Sequence, residues 1–368
     1  MTKETIQKAG DNSCQTQVQN LTINYGITEE RARQICFDIS QKAIAENTAF
    51  ASEELTKRLQ KLENIIIPRI QEFDKNFEIF ADPAFQVLLK KAQLTAACTE
   101  NDVNYHILSE LLVHRIRNKT NVKKNASISK AVEIIDKIDD DSLCALTLYH
   151  SIASYIPISG NISNGIKVLS DLYECINLDD LPKNDEWIDN LSILGVAYII
   201  PFSSLNKFYS ILENGLDGYV CIGIQKNSDE YKKALEKLSE IRINPNILID
   251  NELLDGYVRL AIPQKKSIEE LKSVQLVPLN GCSLSIQTDI SQKQKEGLFS
   301  IFDDYVQEAN LINIVKKNFH DMLQSFIPIK KAMLWWDSIN INFRINSIGR
   351  VIAHANAKRI NPSIPDLD

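Results

Sequence analysis

Residues Thr28–Ile66 read TEERARQICFDISQKAIAENTAFASEELTKRLQKLENII. Apolar side chains recur at Ala32, Cys36, Ile39, Ala43, Phe50, Leu55, Leu59, Leu62 and Ile66. The steps are mostly three, four or seven, which is the spacing of one face of an α-helix. Thr28 is placed to cap that helix, Glu29 and Glu30 suit the positive end of its dipole, and Pro68 is expected to close it. At about 1.5 Å per residue such a helix, with an irregularity around Phe50, runs to roughly 55 Å. The opposite face carries Glu30, Arg31, Lys42, Glu46, Lys57 and Lys61 and is solvated.

The helical period continues downstream. Asp82-Pro83 is a cap followed by a proline at the first turn, starting a helix through Ala97. Asp102 starts another, with Ile107, Leu108, Leu111, Leu112 and Ile116 on its inner side. Ala131, Ile134 and Ile135 mark a third, and Asp141-Ser142 open a fourth that carries Leu143, Leu146, Leu148, Tyr149 and Ile152 toward Pro157. Short connections make these antiparallel neighbours. The longest apolar run, Leu191 to Ile200, falls short of the ~20 residues a membrane-spanning helix needs and is stopped by Pro201. It is expected to be a buried core helix, and no membrane insertion is expected.

Near Gly215 the texture changes. Leu216-Asp217-Gly218-Tyr219-Val220 and Leu254-Asp255-Gly256-Tyr257-Val258 are two copies of one pentapeptide, each read as turn then strand, and each followed by an expected amphipathic helix (Ser228 to Leu238, and Ser267 to about Val274). They are a candidate internal duplication. After Ser291 helices return. Ile339 to Ile345 then alternates as a strand, and Asn346-Ser347 cap a final helix from Ile348 to Arg359. The predicted fold class is therefore mainly α: an N-terminal helical bundle with a long first helix over 27–214, a small α+β segment over 215–290, and a C-terminal helical module over 291–368 with a short hairpin or strand and a winged-helix-like ending. Residues 1–26 are read as a polar N-terminal segment, strand-like or disordered.

Composition limits the function classes. The chain has 368 residues, a net charge of -7 and 44% hydrophobic residues, which suits a soluble globular protein and disfavours a dedicated nucleic-acid binder. Seven cysteines without close pairs suit reduced thiols, and the first residues lack an apolar core of a secretory signal. A cytoplasmic setting is expected. Phosphate-loop, nucleophile-elbow and HExxH patterns are missing, so no cofactor, metal or catalytic residue is assigned. Asp136, Asp139, Asp140 and Asp141 read as a solvated helix start, and His106, His114 and the Cys144–His150 pair as structural.

Two stretches remain as candidate contacts. The basic cluster Arg115, Arg117, Lys123 and Lys124 is a candidate patch for an anionic partner. Leu21, Ile23 and Tyr25 share one face of an alternating strand, preceded by Gln15, Gln17 and Gln19, in a segment with no charge over residues 12–28. A lone strand must find a pairing partner or stay solvated, and missing gatekeeper charges favour edge-to-edge pairing. With Ala32 and Ile39 these residues are the candidate oligomer contact.

The opening GDNS…Q…Q…YGI, the Asp82-Pro83 helix with Ala92 and Ala96-Ala97, and the closing INFRINSIGRVIAHANAKR of residues 341–359 together resemble an uncharacterised family of bacterial cytoplasmic proteins. The resemblance covers the first ~120 and last ~30 residues. It implies an accessory role associated with mobile elements or phage defence and assigns no activity to any residue. The expected function is a non-enzymatic protein-interaction or scaffold protein that acts through homo-oligomerisation, with a protein partner from the same operon. A nuclease-like effector and a DNA-binding regulator that reads through the C-terminal module are the alternatives.

Overall fold

The computed structural model describes residues 27–45, 49–118, 120–279 and 282–367 of the chain. The protein is mainly α-helical. The stripe over 28–66 forms two helices, α1 (Glu29–Ala45) and α2 (Ala49–Phe73). Pro68 lies inside α2 instead of closing it. Leu62, Ile66, Ile67 and Ile70 are all buried on one face, so packing on both sides of the proline outweighs the one backbone bond it removes.

The next helices are α3 (Pro83–Cys98), α4 (Asp102–Arg117), α5 (Val122–Ile134) and α6 (Asp140–Ser154). Their starts follow local rules. The side chains of Asp82, Asn101, Asn121 and Asp139 each accept from a backbone N–H of the first turn, which satisfies donors that the helix itself leaves unpaired.

The run Leu191 to Ile200 is not a core helix. α7 (Ile162–Cys175) and α8 (Glu186–Ile193) precede a stop at Gly195, whose φ is 71°. Val196 N–H donates to Leu191 O at 2.8 Å and Gly195 N–H to Ser192 O at 3.0 Å, the double closure that a left-handed glycine permits. The chain then enters β1 (Ala197–Ile199). α9 (Phe208–Gly215) follows.

The first pentapeptide copy is mostly turn, with β2 (Ile224–Gln225) only after it, whereas Tyr257 and Val258 of the second copy lie in β4 (Tyr257–Leu260). The copies thus adopt different backbones. With β3 (Leu248–Asp250) they form an antiparallel sheet of order β2-β4-β3. α10 (Asp229–Glu240) follows β2, but after β4 a 3-10 turn leads to the hairpin β5 (Lys272–Leu279) and β6 (Cys282–Asp289), where a second helix was expected. α11 (Gln292–Asp303), opened by a Ser291–Gln294 capping box, closes over this unit. Ile224, Leu238, Val258, Leu260, Leu298, Ile301 and Phe302 share a second core, so α11 packs with the α+β segment.

α12 (Ala309–Ser325), α13 (Ile327–Ser338), β7 (Phe343–Ile345) and α14 (Ser347–Ile360) complete the chain. They do not form a separate module. α14 packs against α4, α5 and α6, and Val351, Ile352, Ala353, Ala355 and Ala357 are buried in the main core. Its polar residues are used inside the bundle: Ser127 Oγ donates to Ser347 Oγ at 2.8 Å, and Asn356 Nδ2 donates to Thr147 Oγ1 at 2.8 Å. β7 pairs with β1, not with a wing hairpin of its own module.

Gly349 is where α14 closely approaches Val196, the residue before β1. A Cβ there would stand 2.8 Å from Val196 O and 3.0 Å from Val196 Cγ1. In an open helix Gly→Ala gains up to about 1 kcal/mol, but a clash in a packed site costs about 1–3 kcal/mol. Gly349→Ala is therefore expected to lower stability by about 1–2 kcal/mol, read as a drop in the urea unfolding midpoint; a raised midpoint would show that the β1–α14 contact is loose.

Candidate functional site

Strands β1 and β7 pair as Ala197↔Ile345, Tyr198↔Arg344 and Ile199↔Phe343. Beneath β7 lies a floor of aromatic rings. Tyr149 stacks on Trp336 at 5.0 Å and sits 4.4 Å from Phe343, while Trp187 meets Phe343 edge-on at 5.2 Å. Tyr149 OH donates to Phe343 O, and Trp336 Nε1–H donates to Asn206 O. Such a floor holds the ribbon in one position before anything binds to it.

Exposed apolar residues surround the ribbon, with Tyr198 and Ile199 on opposite faces of it. Ile193 is 82%, Tyr198 49%, Ile199 39% and Phe202 107% exposed. Phe202 is held at a φ of 60°, a conformation rare for an aromatic residue. Ile200 N–H donates to Asn342 O, and Asn346 N–H donates to Val196 O. By the alternation of an antiparallel ladder, the backbone groups of Ala197 and Ile199 then point to the free edge. Among the described residues no hydrogen bond outside the ladder reaches them. Ala197 is buried and α8 packs against β1, so the open part of this edge lies at Ile199, where a strand edge flanked by apolar side chains is a template for another strand.

The residues singled out in the sequence are placed as follows. Leu21, Ile23 and Tyr25 lie outside the described residues. Ala32 is buried in the chain's own core and Ile39 packs against it, so neither faces outward for an oligomer contact. The four basic residues are not one patch. Arg115 is buried and reaches the Asp82 carboxylate at 3.1 Å, Arg117 turns to Asp366, and Lys123 and Lys124 occupy the first turn of α5. Asp139 caps α6 and Asp140 accepts from Asn101 Nδ2. Among the described residues no group of three or more His, Cys, Asp or Glu is arranged to hold a metal.

The sequence reading missed a polar cluster between the last turns of α4 and α14. Arg117 and Lys358 both contact the Asp366 carboxylate, and Arg69 of α2 contacts Glu110. The Arg117 guanidinium lies over the Phe73 ring at 4.0 Å. His114 Nε2 faces Leu367 O at 3.3 Å. His354 takes its Nδ1 contact from Tyr155 OH at 3.0 Å, while its Nε2 makes no hydrogen bond among the described residues. His114, Arg117, His354, Lys358, Asp366 and Leu367, with Glu110, line a cavity of about 20 Å³. Behind it, His150 pairs with Ser154 and its ring centroid is 6.2 Å from that of His354. Burial, then the proximity of His354, pushes His150 down to about 3; burial, then His114, pushes His354 down to about 4. Both imidazoles are therefore neutral at physiological pH.

Among the described residues no helix is long and apolar enough to cross a membrane. No curated protein and no solved structure matches the chain. A family model described as ":-like" matches residues 26–368, nearly the whole chain, and the protein belongs to that family.

Proposed function

We propose that the protein is a non-enzymatic interaction protein of the bacterial cytoplasm that assembles with copies of itself, serving as a scaffold in the anti-phage setting implied by the resemblance of its two ends. One observation carries the reading: the free edge of β1, flanked by exposed Ile193, Tyr198, Ile199 and Phe202 on a rigid aromatic floor.

The occupant is the alternating segment Asn20–Tyr25 of a second copy. Its Leu21, Ile23 and Tyr25 supply an apolar face, and its backbone supplies the ladder that β1 lacks.

Light scattering on the full chain, on a form without residues 1–26 and on Ile199→Lys tests the proposal. The full chain is expected to be an oligomer. Both variants are expected to dissociate at least tenfold more readily, since a charge on a strand edge opposes pairing. A monomeric full chain, or variants of unchanged mass, sinks it. Dissociation by the deletion alone would keep self-assembly and reject the β1 edge as its dock.

A further inference from the structure

The cluster between α4 and α14 supports an inference independent of the oligomer. We propose that Arg117 and Lys358 form a binding site for a phosphate group, and that the Asp366 carboxylate holds that site as an internal ligand.

The charges come first. Arg69, Arg117, Lys358 and, at the edge, Lys124 face Glu72, Glu110 and Asp366. Glu110 is engaged by Arg69 and acts on Arg117 and Lys358 only through its nearby charge, so among the described residues Asp366 is the one carboxylate in direct contact with both. Among the described residues the positive excess is one charge with Asp366 in place and two without it. A phosphate dianion matches that pair of cations better than the monoanion now holding it.

The site is also built to hold its shape. Arg117 and Lys358 stand in the last turns of their helices, where the dipole favours cations. The Phe73 ring fixes the plane of the Arg117 guanidinium and leaves its edge free for oxygen ligands. Burial lowers the Arg117 and Lys358 pKa values, and Arg117 further lowers that of Lys358. Two like charges are thus held together in a partly dry place, an arrangement that needs an anion.

The third observation is a buried polar atom that the chain leaves over, His354 Nε2. His354 is 6% exposed and lines the cavity, and its Nε2 faces the Pro365 carbonyl without closing a hydrogen bond. His114 touches only Leu367 O. Either imidazole can adopt the tautomer that donates toward a phosphate oxygen. The occupying stretch is short: among the described residues, Ile364 and the contacts of Asp366 and Leu367 anchor it. Its release would open the site without unfolding α14.

Calorimetric titration of the full chain tests this at fixed ionic strength, with inorganic phosphate in one arm and phosphoserine in the other. Asp366→Ala is expected to bind at least one of them tenfold or more tightly than the native chain. Adding Arg117→Gln, or Lys358→Met if the first disturbs folding by circular dichroism, is expected to return affinity to the native level. Preference for phosphoserine would assign the site to an esterified phosphate, and preference for inorganic phosphate to the free ion. If Asp366→Ala binds neither probe more tightly, or if its affinity survives loss of Arg117 and of Lys358, the cluster only fastens the end of the chain and the proposal falls.

Discussion

Replacing Arg259 with alanine is expected to lower stability by about 3–5 kcal/mol, the range for stripping one partner from a buried charged network. Arg259 lies in β4 and is fully buried. Its Nη2 donates to Gly160 O at 2.7 Å and its Nη1 to Leu260 O at 3.0 Å, with Gly218 O at 3.5 Å. The guanidinium also sits over the Tyr219 ring at 5.2 Å, and Glu252 lies 3.9 Å away. One side chain thus joins the second pentapeptide copy to the first and both to the loop before α7. Removing it leaves buried carbonyl oxygens without donors and opens a cavity, two costs that add. Arg259→Met keeps most of the volume and loses only the donors, so it is expected to cost less than alanine. Urea unfolding monitored by circular dichroism checks the order. An alanine variant within about 1 kcal/mol of the native chain would mean that Arg259 is not the link between these parts.

Lowering the pH from 7 to 4.5 is expected to remove about 2 kcal/mol of stability for each of His150 and His354. Both are neutral when folded, with values pushed down to about 3 and about 4, against about 6.5 in an unfolded chain. The sign follows from proton counting. Below pH 6.5 the unfolded chain takes up protons that the folded chain refuses, so stability is complete above 6.5 and is lost as pH falls toward 4. Carboxylates in ion pairs titrate nearby, so the comparison is with a double variant. His150→Gln with His354→Gln keeps a partner for Tyr155 and Ser154 and removes the titration. Its loss between pH 7 and 4.5 is expected to be about 4 kcal/mol smaller than that of the native chain. Equal losses would show that the two histidines are protonated in the folded protein.

The comparison of residues with structure divides along a physical line. Features set within one turn of chain were legible: the Asp82-Pro83 start of α3, the Asn346 cap of α14, and the apolar faces of α2 to α6. Each rests on hydrogen bonds or side-chain spacing across three or four residues. The β1 edge was misread because Leu191 to Ile200 is apolar throughout, and such a run fits a buried helix as well as a helix, a turn and a strand. Gly195 ahead of Tyr198-Ile199-Ile200 was the available signal for the turn.

By itself the sequence determined that the chain is mainly helical and where most helices begin. It placed the onset of β structure near Gly215, whereas the first strand, β1, already lies at Ala197–Ile199. Only the tertiary structure decided which apolar faces meet. It placed α14 inside the first bundle, paired β7 with β1 and carried α11 into the second core. It also brought Arg259 to Gly160, and Arg117 with Lys358 to Asp366. The reason is that periodicity records that a face must be buried, whereas the partner that buries it is chosen by shape and charge between residues far apart in the chain.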